Sequence, residues 1–341
     1  MKVQSLSIHV PTTRCINNCM GCVSRMHKSP YKNRIGEMFE VGYNPTSHIE
    51  IEYIRRLMFA KENGVNNVIL TGTGEPLQNM EFLRWFGDLR MFDWIELQTT
   101  GDFLLDTEEI VDKKSGKIFQ TYPCLNFLRD IGVSTISLSI WDLFDSQNND
   151  KLIQRKNITG KFIEKTCEAI KKHNFNLRLS LNIHDIYKDR GIWEFFIYAK
   201  DVGADQITFR KLFKTNCSPS LFSEQDKWIE ANTKHDQEIF NRIDNYILGE
   251  SQQTLIGEKR MGGKTTLQKF KLDREKGAGK FLGVLPFGAK KYSVDGITTV
   301  IDGNCMDNVY EREDPDVYKY MILRPNCKLY SEWDDPGSLI F

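Results

Sequence analysis

Three cysteines near the start of the chain lie in the run Cys15-Ile-Asn-Asn-Cys19-Met-Gly-Cys22, with the spacing C-x3-C-x2-C and no fourth cysteine close behind. Thiolates at such short intervals on one loop are ligands for soft metals. A four-iron cluster held wholly by protein takes four thiolates. Three thiolates would leave one iron open, and an open iron can bind a reactive group. Zinc is the alternative, since zinc sites also use short cysteine spacings. A closed structural zinc site, however, wants four ligands in two pairs, which the triplet alone does not supply.

About fifty residues further on stands Val68-Ile-Leu-Thr-Gly72-Thr73-Gly74-Glu75-Pro76-Leu77. Here an apolar run ends in a glycine-rich, acidic turn, and a helical pattern follows. Together the two motifs resemble the radical S-adenosylmethionine (radical SAM) superfamily, which has a CxxxCxxC loop after its first strand and a GGEP-like turn after its second. The chain departs from that pattern twice. Gly21 stands just before the last cysteine, where the family usually has an aromatic residue, and Thr73 interrupts the paired glycines.

The resemblance implies a 4Fe–4S cluster on Cys15, Cys19 and Cys22, with S-adenosylmethionine (SAM) chelated at the open iron. One electron would then cleave SAM to a 5′-deoxyadenosyl radical, which abstracts hydrogen from a substrate. By the same resemblance, the turn Gly72, Thr73, Gly74 and Glu75 meets the SAM amino group. Such an enzyme needs a low-potential electron donor of the flavodoxin or ferredoxin type. The likeness covers roughly residues 3–212. It is nearest the branch of molybdenum-cofactor cyclases, peptide maturases and viperin-like nucleotide dehydratases, which leaves a small molecule, a nucleotide or a peptide as substrate. A reading of another class, a non-catalytic iron–sulfur or zinc scaffold, is opposed by Glu75 and by the open-site cysteine count.

Strand-like runs at 3–10, 66–72, 94–99, 134–140, 177–183 and 206–212 alternate with helical patterns, which predicts a parallel sheet with helical crossovers. The helices expected are 47–62, 79–90, 123–131, 159–173 and 191–202. An open doubly wound sheet and a partial barrel both satisfy this order, and the resemblance selects an α/β fold with a partial (β/α)6 TIM-like barrel. Several strands alternate. Ile136, Leu138 and Ile140 oppose Ser137 and Ser139. Leu177, Leu179, Leu181 and Ile183 oppose Arg178, Ser180, Asn182 and His184. Ile207 and Phe209 oppose Thr208 and Arg210. Period-two geometry puts each polar set on one face. If the apolar face meets the helices, the polar face lines a cavity. Strand parity then brings Gln98, Thr100, Ser139 and Asn182 toward the SAM carboxylate or ribose. Arg210 and His184 are candidates for the substrate, and the planar fork of Arg210 suits a carboxylate or phosphate.

The barrel core is expected over 1–213 and a C-terminal α+β extension over 214–341. That extension would hold one helix from Ser223 to about Leu248, a polar loop over 250–291, a hairpin turn at Asp295-Gly296 and a strand around Tyr320–Arg324, and would cover the open side or bottom of the barrel. Gly257-Glu-Lys-Arg-Met-Gly-Gly-Lys264-Thr265 resembles a phosphate-binding P-loop but fails its spacing. The 341 residues carry 46 basic and 46 acidic side chains. That balance removes the electrostatic case for general nucleic-acid binding. No apolar run reaches the roughly 18 residues that span a bilayer. The scattered Cys124, Cys167, Cys217, Cys305 and Cys327 argue against a disulfide framework and for a reducing, cytoplasmic location.

Overall fold

The computed structural model describes residues 2–12, 15–26, 47–86, 88–111, 118–155, 160–214, 218–249, 258–261, 264–267, 279–285, 289–302, 317–333 and 336–341. Six strands form the core: β1 (Lys2–His9), β2 (Asn67–Thr71), β3 (Trp94–Thr99), β6 (Thr135–Ile140), β7 (Asn176–Ile183) and β8 (Gln206–Lys211). A separate hairpin of β4 (Thr107–Val111) and β5 (Ile118–Pro123) lies between β3 and β6. The helices in chain order are α1 (Val23–Met26), α2 (Ser47–Glu62), α3 (Met80–Phe86), α4 (Cys124–Asp130), α5 (Ser146–Ile153), α6 (Phe162–Lys172), α7 (Ile192–Asp201), α8 (Glu224–Asn232) and α9 (Asp236–Leu248). The later strands are β9 (Glu258–Met261), β10 (Lys264–Leu267), β11 (Gly279–Val284), β12 (Lys290–Val294), β13 (Ile297–Asp302), β14 (Val317–Leu323) and β15 (Leu329–Tyr330).

One open sheet of eleven strands runs in the order β11-β12-β13-β8-β7-β6-β3-β2-β1-β14-β15. Its central run from β13 to β14 is parallel throughout. The sheet does not close on itself, as a partial barrel requires. All six predicted core strands form, displaced by a residue or two at their ends.

Helix periodicity explains how the outer layer packs. In α6 the buried residues are Ile163, Thr166, Cys167 and Ile170, and in α7 they are Ile192, Phe195, Phe196 and Ala199. Both sets follow the i, i+3, i+4, i+7 pattern of a helix with one apolar face. Asn174 (φ 59°) and Gly203 (φ 71°) adopt left-handed backbone just past the two helices and stop them. The strand residues they cover are the predicted apolar sets: Ile136, Leu138, Ile140, Leu177, Leu179, Leu181, Ile183, Ile207 and Phe209 are all buried in one core.

The extension differs from expectation in three ways. Strand β13 pairs parallel to β8 and β14 pairs parallel to β1, so the described strands widen the sheet at both edges and do not lie across its opening. The physical reason is that β1 and β8 would otherwise end the sheet with unpaired backbone groups. The single helix expected over 223–248 is two, because the Asp185 carboxylate accepts from the backbone N–H of His235 (2.9 Å) and Lys234 (3.3 Å) and interrupts the helix there. The stretch read as a loop contains the β9–β10 hairpin and β11. That hairpin occupies the P-loop-like run, which therefore lacks the strand–loop–helix order of a phosphate loop. The turn at Asp295-Gly296 does join β12 to β13, with both residues at positive φ (51° and 86°), as a type I′ hairpin demands. The apolar end packs on α2, where Phe341 stacks on Phe59 at 4.7 Å.

The two faces of β7 and β6 should respond differently to truncation. Leu179→Ala, in the helix-side core, is expected to lower unfolding free energy by about 3 kcal/mol. Ser137→Ala, on the opposite face, should change it by less than about 1 kcal/mol. Urea denaturation of the two variants checks this, and equal losses would contradict the assignment of faces.

Candidate functional site

The site gathers at the C-terminal ends of β1, β2 and β3, the end of a parallel sheet where α/β proteins place their ligands. Strand β1 leads into the cysteine loop, β2 into the turn Gly72–Pro76, and β3 into Thr100–Asp102. Hydrogen bonds tie the cysteine loop down at three places. Ile16 N donates to Gln78 Oε1 (2.6 Å). Asn17 Nδ2 donates to Asp102 Oδ2 (2.6 Å) and to Thr100 Oγ1 (3.0 Å). The amides of Asn18 and Met20 donate to the carbonyls of Ile153 and Leu152 at the end of α5.

Glu75 is buried and holds the turn against β3. Its carboxylate accepts from Thr99 Oγ1 (2.6 Å), Thr100 N (2.9 Å), Thr100 Oγ1 (2.8 Å) and Leu77 N (3.3 Å). Burial pushes its pKa up to about 7, against the downward pull of those bonds. Thr100 Oγ1 also lies 2.7 Å from Asp102 Oδ2. A hydroxyl has one proton to give, so both contacts are satisfied only when one carboxyl is protonated. Burial acts against the Asp102 carboxylate, but Arg155, Thr100 and Asn17 outweigh it and hold its pKa low. Of the two, burial favours the proton on Glu75. Arg155 completes the cluster by pairing with Asp102 (2.9 Å) and Asp150, donating to Thr100 O (2.8 Å), and lying 3.6 Å over the Phe162 ring.

The glycines of the turn are sterically required. A Cβ at Gly74 would sit 2.2 Å from Thr12 Oγ1, and one at Gly72 would sit 2.7 Å from the Val10 carbonyl. His9 lies beneath the turn, and its Nε2 accepts from the Thr73 amide (3.4 Å). Burial, aided by the charge of Arg324, lowers the His9 pKa to about 3, so this acceptor nitrogen stays unprotonated near neutrality.

The thiols of Cys15, Cys19 and Cys22 are free and partly accessible. Burial raises the pKa of Cys15, while backbone N–H groups of Asn17 and Glu75 favour its thiolate. Cys19 is raised further, by burial and by the charges of Cys22 and Cys15. Three thiols on one anchored loop are a donor set that a cationic metal centre would stabilise as thiolates. Among the described residues no group of three His, Cys, Asp or Glu side chains is arranged to hold a single metal ion as it stands.

Gly21 packs beneath an aromatic ring. A Cβ there would meet Trp141 Cη2 at 2.7 Å and Ile229 Cδ1 at 3.2 Å. Trp141 is buried and packs edge-on to Trp228 at 5.6 Å. The space that a side chain at position 21 would need is filled by Trp141, just past the end of β6.

A cavity of about 140 Å³ opens beside the turn, lined by Gly74, Glu75, Gln98, Thr100, Ser139 and Arg210 among the predicted residues, with Pro76, Thr99, Ser137 and Ser180. Asn182 is adjacent and donates to Ser139 Oγ (3.3 Å). Gly72 and Thr73 shape the turn without lining the cavity. His184 is buried away from it, with Nε2 2.8 Å from the Trp141 carbonyl. Cys217 and Cys305 lie outside the described residues, and Cys327 is buried, which pushes its thiol up to about 11. Sequence reasoning missed His9, Asn17, Asp102, Asp150, Arg155 and Trp141. Their only local signal is that Asp102 and Trp141 follow strand ends.

No family model matches the chain, and no curated protein matches it. Solved structures similar in fold include Streptococcus suis SuiB bound to S-adenosylmethionine (13% identity, TM-score 0.49, 97% of this chain and 60% of that one). Another is anSMEcpe with bound AdoMet and a peptide (14% identity, TM-score 0.43, 73% and 61%). A third is Escherichia coli coproporphyrinogen III oxidase, HemN, described as a radical SAM enzyme (16% identity, TM-score 0.41, 72% and 51%). The chain spans about three fifths of the SuiB chain's length. Among the described residues no helix is long and apolar enough to cross a membrane.

Two expectations follow from this geometry. Gly74→Ala should cost about 1–3 kcal/mol through overpacking against Thr12, and Thr12→Ala in the same chain should recover part of it in thermal melts. His9 sets an acid limit. Above pH 6.5 it is neutral both folded and unfolded. Between pH 6.5 and about 3 the unfolded chain binds a proton that the folded chain refuses, so stability falls with pH. His9→Gln should flatten that fall by about 2–3 kcal/mol between pH 7 and 4.5, read from urea melts. An unchanged slope would refute the role of His9.

Proposed function

We propose that the chain is a radical SAM enzyme with a partial-barrel core and a C-terminal extension. It would cleave S-adenosylmethionine reductively at a 4Fe–4S cluster and remove hydrogen from a small-molecule, nucleotide or peptide substrate. One observation carries the reading. The cysteine loop is bonded to Gln78, just past the Gly-Thr-Gly-Glu-Pro turn, and to the chain leaving β3, and the turn, itself bonded to Thr100, borders a hydroxyl-lined cavity at the C-terminal end of a parallel sheet. A scaffold that only stored a metal would have no use for such a cavity.

In this reading Cys15, Cys19 and Cys22 hold the cluster. When bound, cluster and SAM together supply a one-electron cleavage that yields a hydrogen-abstracting 5′-deoxyadenosyl radical. The chain's own residues do the positioning. The backbone at Thr73 and Gly74 offers polar groups to the SAM ammonium. Glu75 acts through the turn it holds, since both of its oxygens are already bonded within the protein. Ser139, Gln98 and Thr100 face the carboxylate and ribose, with Asn182 orienting Ser139. A cavity wall of this kind sets the target hydrogen near the reactive intermediate. A flavodoxin- or ferredoxin-type donor would supply the electron.

Anaerobically reconstituted protein should bind about four irons with matching labile sulfide and form 5′-deoxyadenosine from SAM on reduction. Cys19→Ala should abolish both. Glu75→Gln should retain the iron and lower SAM cleavage by about tenfold, the loss expected when one buried hydrogen bond is lost. Stoichiometric zinc without sulfide, and no 5′-deoxyadenosine, would exclude the proposal.

A further inference from the structure

The cavity has one cation that the cofactor reading does not use. Arg210, at the C-terminal end of β8, lines it, and its guanidinium has no hydrogen bond or ion pair among the described residues. Beside it on β7 is Ser180, buried at 3% exposure, whose Oγ has no hydrogen-bond partner there. The register places the two as diagonal neighbours on one face, since Ser180 pairs with Thr208 and Asn182 with Arg210. Thr208, also buried, adds a second hydroxyl to that face. A buried hydroxyl left without a partner is costly, and an unpaired guanidinium at a cavity wall is an invitation to an oxyanion.

We propose that Arg210 and Ser180 form a carboxylate-binding subsite for the substrate, distinct from the groups that face SAM. The proposal rests on the radical SAM reading for its biological meaning but not for its test. Charge selects a carboxylate over a phosphate. Arg210 is the only cation among the described lining residues, and Asp302 pairs with it in register on β13, on the same face. One guanidinium balances a singly charged group and leaves a dianion undercompensated, the more so with the Asp302 carboxylate on the same face. The planar fork of arginine takes both carboxylate oxygens at once, and Ser180 can donate to one of them. The subsite lies strands away from the cysteine loop, so it would fix the far end of a substrate whose reactive hydrogen faces the cluster side of the cavity.

The test uses the full chain, reconstituted anaerobically with SAM present, and calorimetric titration of sodium acetate, with inorganic phosphate as a second arm. Acetate should bind saturably and more tightly than phosphate. Arg210→Gln should weaken acetate about tenfold or more, Arg210→Lys should fall between, and Ser180→Ala should weaken it about threefold, as loss of charged and neutral hydrogen bonds respectively predicts. Iron content and SAM affinity should stay unchanged in all three. Equal acetate affinity in wild type and Arg210→Gln overturns the proposal. So does a Ser180→Ala variant that binds acetate like wild type, which decides the matter even if Arg210→Gln fails to fold. Tighter phosphate binding overturns the carboxylate assignment, and a loss of SAM affinity in Arg210→Gln returns that arginine to the cofactor. Zinc in place of iron would remove the radical SAM reading while leaving the acetate result to stand or fall alone.

Discussion

The site depends on one buried polar constraint: the sharing of Thr100 between two carboxyl groups. Its amide and hydroxyl bond Glu75 from the β2 turn, its hydroxyl meets Asp102, and Asn17 from the cysteine loop bonds both Thr100 and Asp102. Three strand ends are thereby fixed to one another without a covalent link. Arg155 neutralises the far side by pairing with Asp102 and Asp150. Removing one member of such a cluster leaves a buried charge uncompensated, which costs far more than an exposed ion pair contributes. The loop carrying the cysteines therefore has a defined position relative to the turn, whatever the loop's own helical propensity.

The barrel core was legible because its signals are local. Strand alternation at Ile136–Ile140 and Leu177–Ile183 told which face meets the helices, and the structure buries every one of those apolar residues while Ser137, Ser139 and Ser180 line a cavity. The positive-φ turn at Asp295-Gly296 was legible for the same reason, since a two-residue hairpin imposes its own chemistry. What was hidden is long-range. Asn17 and Thr100 are 83 residues apart, and Arg155 and Asp102 are 53 apart. Nothing in the spacing of single polar residues says which will meet. The break between α8 and α9 was missed likewise, because the carboxylate that interrupts them comes from Asp185, about fifty residues upstream.

Gly21 shows how a local departure can be a spatial substitution. The motif read alone lacks an aromatic side chain before its last cysteine. The fold supplies Trp141 in that space, from the end of β6, at a distance that admits no side chain on residue 21. The two positions are coupled by volume: a larger residue at 21 requires a smaller one at 141, because packed interiors tolerate neither voids nor overlap. Trp141 also receives His184 at its carbonyl and Trp228 at its ring, so the face of the cysteine loop rests on residues from β6, β7 and α8 together.

The extension bears on the site through the sheet edges. Strand β14 extends the sheet beside β1, and the chain just past it brings Arg324 and Trp333 close to His9, whose pKa Arg324 helps to lower and whose ring lies 5.8 Å from Trp333. Arg324 itself is buried and bonds the carbonyls of Glu332 and Trp333. At the other edge, β13 brings Asp302 into register with Arg210. The late-sequence strands thus touch the electrostatics of both flanks of the cavity: one keeps the histidine under the turn neutral, and the other limits the positive charge that Arg210 presents. A sheet completed at both edges by its own C-terminal chain makes the site's charge balance a property of the whole fold, which the six-strand core alone would not possess.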